Sequence, residues 1–379
     1  MAPLPFRPDT LPVHGAFCAL LAAVCPAQAE VPVDEPLVDR PVEEALADTP
    51  TRRLYRTREE QREAGLERRI TPWLTASGLV EFELLYQDFD AKGGTSDDSG
   101  RDDSATVQLG LVATPWELSK AELILEYDTD DDKLKTEEAV LGLETGPWEL
   151  LLGKQYLPFG VYFSNFVSGP LVEFGETQAR EAAVLAYGPS DDLDLSLFGY
   201  RGRARSAGDN AGRWDWGVSS EFWFNHAWSF GLSYQSDLAD ADSRLLEDDN
   251  DRYQRRVSGV SAYILWAGEE VELTLEGLAA TGSFRELDND RNRPGAWNAE
   301  LVYVGYASFD LALRFEGSRE LEDEPQLQFG GAATWRMGRR ASLTLEYLHG
   351  EFSGELASNN DDEPYDHVDR VGAMLSVAF

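Results

Sequence analysis

The chain has 379 residues, a formal net charge of −36 and a pI near 4.3. That length allows one large domain or two to three ordinary ones. So acidic a chain is repelled by nucleic acid, which excludes nucleic-acid binding. Hydrophobic residues make up 42% of it, yet no apolar run reaches about 18 residues, which argues against a helical membrane protein.

The N-terminus reads as a secretory signal. Arg7 gives a modest positive start, "GAFCALLAAVC" an apolar core, and "AQA" at 27–29 a small-x-small cleavage site before Glu30. Cys25 is followed by Pro26, a poor lipidation context. Both cysteines, Cys18 and Cys25, lie inside this signal. The mature chain is expected to have neither disulfides nor thiol chemistry.

Residues 30–50 are acidic and proline-rich and read as an extended linker. Residues 51–70 carry seven arginines and four glutamates. Leu54, Leu66 and Ile70 make a thin apolar stripe, so this stretch is either a short helix that plugs or oligomerises, or a flexible tether. The expected organisation is a signal peptide at 1–29, a periplasmic linker with room for a short helix at 30–72, and a barrel at 73–379.

From Trp73 onward the apolar pattern has period two. "KAELILEYD" opposes Leu123, Leu125 and Tyr127 to Glu122, Glu126 and Asp128. "EVELTLEGL" opposes Val271, Leu273 and Leu275 to Glu272, Thr274 and Glu276. About sixteen such segments follow one another: 74–90, 103–114, 118–128, 136–145, 148–156, 179–188, 192–203, 213–224, 227–237, 254–267, 270–283, 296–307, 309–319, 326–337, 341–352 and 367–379. Their links alternate. Long polar loops such as "ADADSRLLEDDNDRY" follow the odd segments, and short turns such as "GPW" and "NHA" follow the even ones.

Segregation of long and short links onto opposite ends is the pattern of an antiparallel meander closed into a transmembrane barrel. Trp73, Trp116, Trp148, Trp214, Trp228 and Trp297 fall near segment ends, as the aromatic girdles of such a barrel do. The expected fold is therefore all-β: a single closed antiparallel transmembrane β-barrel of about sixteen strands. Closure also explains why the chain ends on an alternating strand. Hydrocarbon penalises each unpaired edge group by several kcal/mol. The terminal Phe379 resembles the C-terminal assembly signal of bacterial outer-membrane proteins. That resemblance implies outer-membrane lipid and the barrel-assembly machinery as partners.

If the apolar face meets lipid, the other face lines the bore. This places Glu122, Glu126, Glu272, Glu276, Glu316 and Glu346 inward, with Arg314 and Arg336 as inward bases. An excess of acids predicts a cation-preferring passage. The acidic runs at 128–132, 247–251, 288–292 and 359–363 lack the spacing and central glycine of a dedicated calcium loop, and read as solvated. No metal, cofactor or catalytic residue is expected. The mature histidines His226, His349 and His367 have no visible partner network for acid–base or nucleophilic work.

One long link differs from the rest. Residues 157–178 contain Phe159, Phe163, Phe166 and Phe174, which suit a loop folded into the barrel mouth. The stretch 151–188, "LLGKQYLPFGVYFSNFVSGPLVEFGETQAREAAVLAYG", resembles the LbtU-type siderophore porins. The resemblance rests on a GKQY element (Gly153, Lys154, Gln155, Tyr156), a PFG element (Pro158, Phe159, Gly160) and a GET element (Gly175, Glu176, Thr177). It implies an outer-membrane receptor-porin taking up a ferric siderophore without an energised plug. The residues themselves also fit a general cation-preferring diffusion porin, or a structural or enzymatic barrel.

Overall fold

The computed structural model describes residues 68–92, 97–129, 132–190, 192–204, 213–224, 227–243, 245–246, 255–287, 291–338, 340–353, 357–358 and 363–379. The signal peptide, the acidic linker and the arginine-rich stretch up to 67 lie outside them, as does His226.

Among the described residues, seventeen strands form one sheet. In chain order they are β1 (Arg68–Thr71), β2 (Leu74–Ala91), β3 (Asp97–Trp116), β4 (Ser119–Asp128), β5 (Lys133–Thr145), β6 (Trp148–Tyr156), β7 (Gln178–Ser190), β8 (Leu193–Arg201) and β9 (Trp214–Phe224). There follow β10 (Trp228–Gln235), β11 (Gly259–Ala267), β12 (Val271–Ala280), β13 (Gly295–Tyr306), β14 (Phe309–Arg319), β15 (Leu327–Arg336), β16 (Ala341–Glu351) and β17 (Tyr365–Ala378). Each strand from β2 to β17 pairs antiparallel with the next, and β17 pairs back onto β2. The result is one closed sixteen-stranded barrel, as expected.

The clearest differences from the sequence expectation lie at the start of the barrel. Arg68–Thr71, placed in the linker, forms the short strand β1 against Ala76, Thr75 and Leu74 of β2. The link after the first barrel strand was expected to run to about residue 102. Instead the β2–β3 ladder continues to Asp90↔Asp97, so most of that polar stretch is hairpin. Backbone pairing needs no apolar side chains, so polarity misplaced this boundary.

The pleat sends alternate side chains to opposite faces. Phe82, Leu84 and Tyr86 of β2 are exposed on the outer face, as are Leu311, Leu313 and Phe315 of β14. Such a band is what a transmembrane barrel presents to lipid. Aromatics rim it at both ends. At the short-turn end Trp148 stacks on Tyr187 and Phe309 on Trp335, with ring centroids 4.2 and 6.1 Å apart. At the long-loop end Trp216 meets Tyr234 at 5.3 Å and Trp297 meets Phe315 at 5.0 Å.

Candidate functional site

The chain from Leu157 to Thr177 leaves the ladder after β6 and folds into the barrel. Leu157 N–H donates to the Thr177 carbonyl at 2.9 Å, which closes the neck of this loop. Phe159, Phe166, Val172 and Phe174 are buried. Phe159, Leu171, Val172 and Phe174 pack with Phe198, Leu238 and Leu278 from the wall and rim. Phe166 forms a second cluster with Val302, Ala312 and Leu348.

An irregular loop inside a barrel must satisfy its backbone amides. Here inward carboxylates do this. Glu276 of β12 accepts from Val161 N and Tyr162 N at 2.8 and 3.0 Å. Glu300 of β13 accepts from Asn165 N at 2.7 Å and from Ser164 Oγ at 2.8 Å. Glu346 of β16 accepts from Val167 N, Ser168 N and Ser168 Oγ at 2.5, 3.0 and 2.5 Å. Glu316 of β14 accepts from Leu171 N at 2.6 Å and from Gln328 Nε2 at 2.8 Å. Hydrogen bonds to charged acceptors contribute about 1.5–3 kcal/mol each. They outweigh neutral ones, and here they sit in buried positions.

Arg314 holds the acceptor side together. Its guanidinium bridges Glu300 and Glu316, both at 3.4 Å, and donates to the Gly169 and Ser168 carbonyls at 3.1 and 2.9 Å. It also donates to Ser164 Oγ. A planar fork of five donors suits a group that must serve two carboxylates and two carbonyls at once.

The GKQY, PFG and GET residues shape the neck of this loop. Gly153 has φ +140°, and a Cβ there would lie 2.0 Å from the Ala139 carbonyl oxygen. The β6–β7 register shifts at this point, between Gly153 and Gln155. Gly160 has φ +80°, and a Cβ there would press on the Tyr162 ring and the Glu276 carboxylate. Lys154 Nζ donates to the Thr136 carbonyl at 2.5 Å. Gln155 is buried, and Tyr156 Oη donates to Glu137. Pro158 and Phe159 carry the chain inward, with Phe159 fully buried. The other arm is tied to the segment after β10. Glu176 O accepts from Asp242 N at 2.7 Å, Thr177 Oγ1 meets Gln235, and Gly175 lies against Leu278.

The structure thus brings Glu276, Arg314, Glu316 and Glu346 together around the loop. They face inward, but the loop covers them. Glu122 and Glu126 stand elsewhere, on β4. Glu122 lies 3.6 Å from Lys120 Nζ, and Glu126 2.9 Å from Lys135 Nζ and 2.7 Å from Gln108 Nε2. Glu272 shares the inward face of β12 nearer the short-turn end, and Arg336 pairs with Asp310 at 2.9 Å. A cavity of about 630 Å³ runs from the short turns at Gly146 and Gly188, past Lys120 and Glu122, to the underside of the loop at Pro158 and Gly160. A second, of about 280 Å³, lies in the curl of the loop among Tyr162, Phe166 and Glu173.

Sequence reasoning did not single out Ser164, Ser168, Gln235 or Asp242 as partners of the loop. Single polar residues carry no spacing signal. The inward register of β10 could have marked Gln235, and a place in an apolar loop Ser164 and Ser168; Asp242, in the polar link after β10, carried no such mark.

No family model matches the chain. A Coxiella burnetii protein named UPF0422 protein is 27% identical over 270 residues, which is 66% of this chain and 57% of that protein. The chain therefore spans little more than half the length of the curated relative it matches. Among solved structures it is similar to an anion-selective porin from Comamonas acidovorans (TM-score 0.58, 12% identity, 81% of this chain and 99% of that one). It is also similar to a loop-deletion mutant of OmpT, an outer membrane protein of Vibrio cholerae (TM-score 0.54, 12% identity, 81% and 99%). At these identities the likeness shows the fold alone: this chain has the barrel architecture of outer-membrane porins.

Proposed function

We propose that the chain is an outer-membrane porin that passes small solutes through a bore narrowed by the loop 157–177. The observation that carries this reading is the loop itself, held inside a closed barrel by four wall glutamates and Arg314. A wall built only for stability gains little from an irregular segment in its interior. A segment placed there limits what crosses.

For the solute we infer a ferric siderophore. The support is the resemblance of Gly153–Tyr156, Pro158–Gly160 and Gly175–Thr177 to the LbtU-type porins, together with the place of those residues at the neck of the loop. The second reading is a general cation-preferring porin, favoured by Glu122, which lines the larger cavity, and by Glu126 on the same inward face of β4.

Planar-bilayer recording separates the two. A siderophore path predicts that micromolar ferric siderophore added on the long-loop side interrupts the ionic current. An uninterrupted current with a cation-biased reversal potential supports the general porin and ends the siderophore reading. A parent protein that forms no channels contradicts both.

A further inference from the structure

Three aspartates meet at the long-loop rim. The β9–β10 ladder pairs Gly217 with Gln235. Carried two residues further, that register sets Asp215 opposite Asp237, and Ser236 N bonding to the Trp216 carbonyl at 2.8 Å confirms it. Asp237 then caps a 3-10 turn, Leu238–Asp240, by accepting from Ala239 N at 3.2 Å. The turn brings Asp240 back over the other two. One carboxylate oxygen from each of the three lies within 4.8 Å of the others. That is the widest separation two oxygens reach across an ion bound at about 2.4 Å.

The site is buried. Asp215, Asp237 and Asp240 are 3%, 0% and 2% exposed. Part of the donor set is already used. Asp215 Oδ1 accepts from Arg256 Nε at 2.8 Å and Ser236 Oγ at 3.0 Å, and Asp240 Oδ1 from Ala204 N at 2.8 Å. Asp215 Oδ2 and Asp240 Oδ2 are enclosed yet have no hydrogen-bond partner. Gly202 allows the close approach, since a Cβ there would fall 2.0 Å from Asp240 Oδ2. An unsatisfied buried carboxylate oxygen is costly, and Asp215 Oδ2 and Asp240 Oδ2 are two such atoms side by side.

We propose that Asp215, Asp237 and Asp240 bind one hard divalent cation, Ca²⁺ by preference, at the long-loop rim. An all-oxygen carboxylate set selects Ca²⁺ or Mg²⁺ over the softer metals. Ca²⁺ tolerates the irregular geometry and completes its shell with water, whereas Mg²⁺ demands a regular octahedron. The ion ties β9 to the segment after β10, and that segment holds the GET arm of the inward loop through Asp242. None of the three belongs to the acidic runs that dominate the sequence.

The test uses the full chain in detergent, stripped with EDTA, with CaCl2 and MgCl2 as probes. Calorimetry counts bound ions, and tryptophan fluorescence follows unfolding. Ca²⁺ is expected to raise the unfolding temperature more than Mg²⁺ does. Asp240→Asn and Asp215→Asn should each abolish that shift and lower the count of tightly bound Ca²⁺ by one, while Asp132→Asn, in an acidic run, leaves both unchanged. If Asp240→Asn does not fold, Asp240→Glu keeps the charge but moves the oxygens, and Ca²⁺ should bind at least tenfold more weakly. A parent that unfolds at the same temperature in Ca²⁺ and EDTA overturns the proposal. So does an aspartate variant that keeps the full Ca²⁺ response.

Discussion

The guanidinium carbon of Arg314 lies 4.1 Å from the centroid of the Phe166 ring. One residue belongs to the wall and the other to the loop. The contact joins the charged anchor of the constriction to its apolar one. Cation–π attraction of this kind reaches about 2 kcal/mol when desolvated. Truncating Arg314 removes it and leaves Glu300 and Glu316 buried without their base. Breaking a buried pair costs about 3–5 kcal/mol. Arg314→Met should therefore release the loop while the barrel persists. The check is limited proteolysis at 160–174: cleavage in Arg314→Met with a protected parent is expected, and equal protection counts against the anchor.

The Glu276 carboxylate serves two successive backbone amides, Val161 N and Tyr162 N. Its charge matters because both donors are buried with it. Glu276→Gln presents one acceptor oxygen where two are used. A local loss of about 1–3 kcal/mol follows. Noisier current with a higher mean conductance is the expected signature. A trace indistinguishable from the parent means that another contact sets the loop position.

Phe379 is bonded on both sides of its peptide to Gly78. Gly78 N donates to the Phe379 carbonyl at 2.8 Å, and Phe379 N donates to the Gly78 carbonyl at 2.9 Å. The ring lies over Gly78, where a Cβ would sit 2.3 Å from Cε2. Deleting Phe379, or replacing Gly78 with Val, should reduce the yield of folded barrel in the outer membrane, as judged by heat-modifiable migration. If Gly78→Val folds normally while the deletion does not, the ring acts as an assembly signal and its seat on the wall is incidental.

Glu122 and Glu126 share the inward face of β4, and Glu122 lines the larger cavity. We expect the double change to Gln to lower the cation-to-anion permeability ratio and leave the barrel folded, because lumen positions tune passage. Each has a lysine partner, Lys120 and Lys135. If the reversal potential in a salt gradient does not move, those lysines already neutralise them.

Much of this fold was legible because barrel strands alternate and their links segregate. The sixteen segments read from period two match β2 to β17 to within three residues at each end, apart from β3 and β11. "RDD" and "KLKT" could not be seen as strand, since an extended hairpin above an apolar band has no apolar face to betray it. The inward course of 157–177 was legible in its phenylalanines. The role of the wall glutamates was not. Glu276, Glu316 and Glu346 alternate like Glu122 and Glu126, and no local pattern separates a carboxylate that caps a distant amide from one that faces water. The rim aspartates were hidden for a similar reason. Asp215 and Asp237 become neighbours only through the β9–β10 register, and the acidic runs drew attention elsewhere.

The central claim is that the inward loop sets the width of a conducting bore. The most direct measurement is the single-channel conductance of the full chain beside a variant in which 160–174 is replaced by a short Gly-Ser linker. The account predicts channels in both, with a severalfold larger conductance and weaker ion selectivity in the shortened protein. Equal conductance in the two, or a parent that never opens, would contradict it.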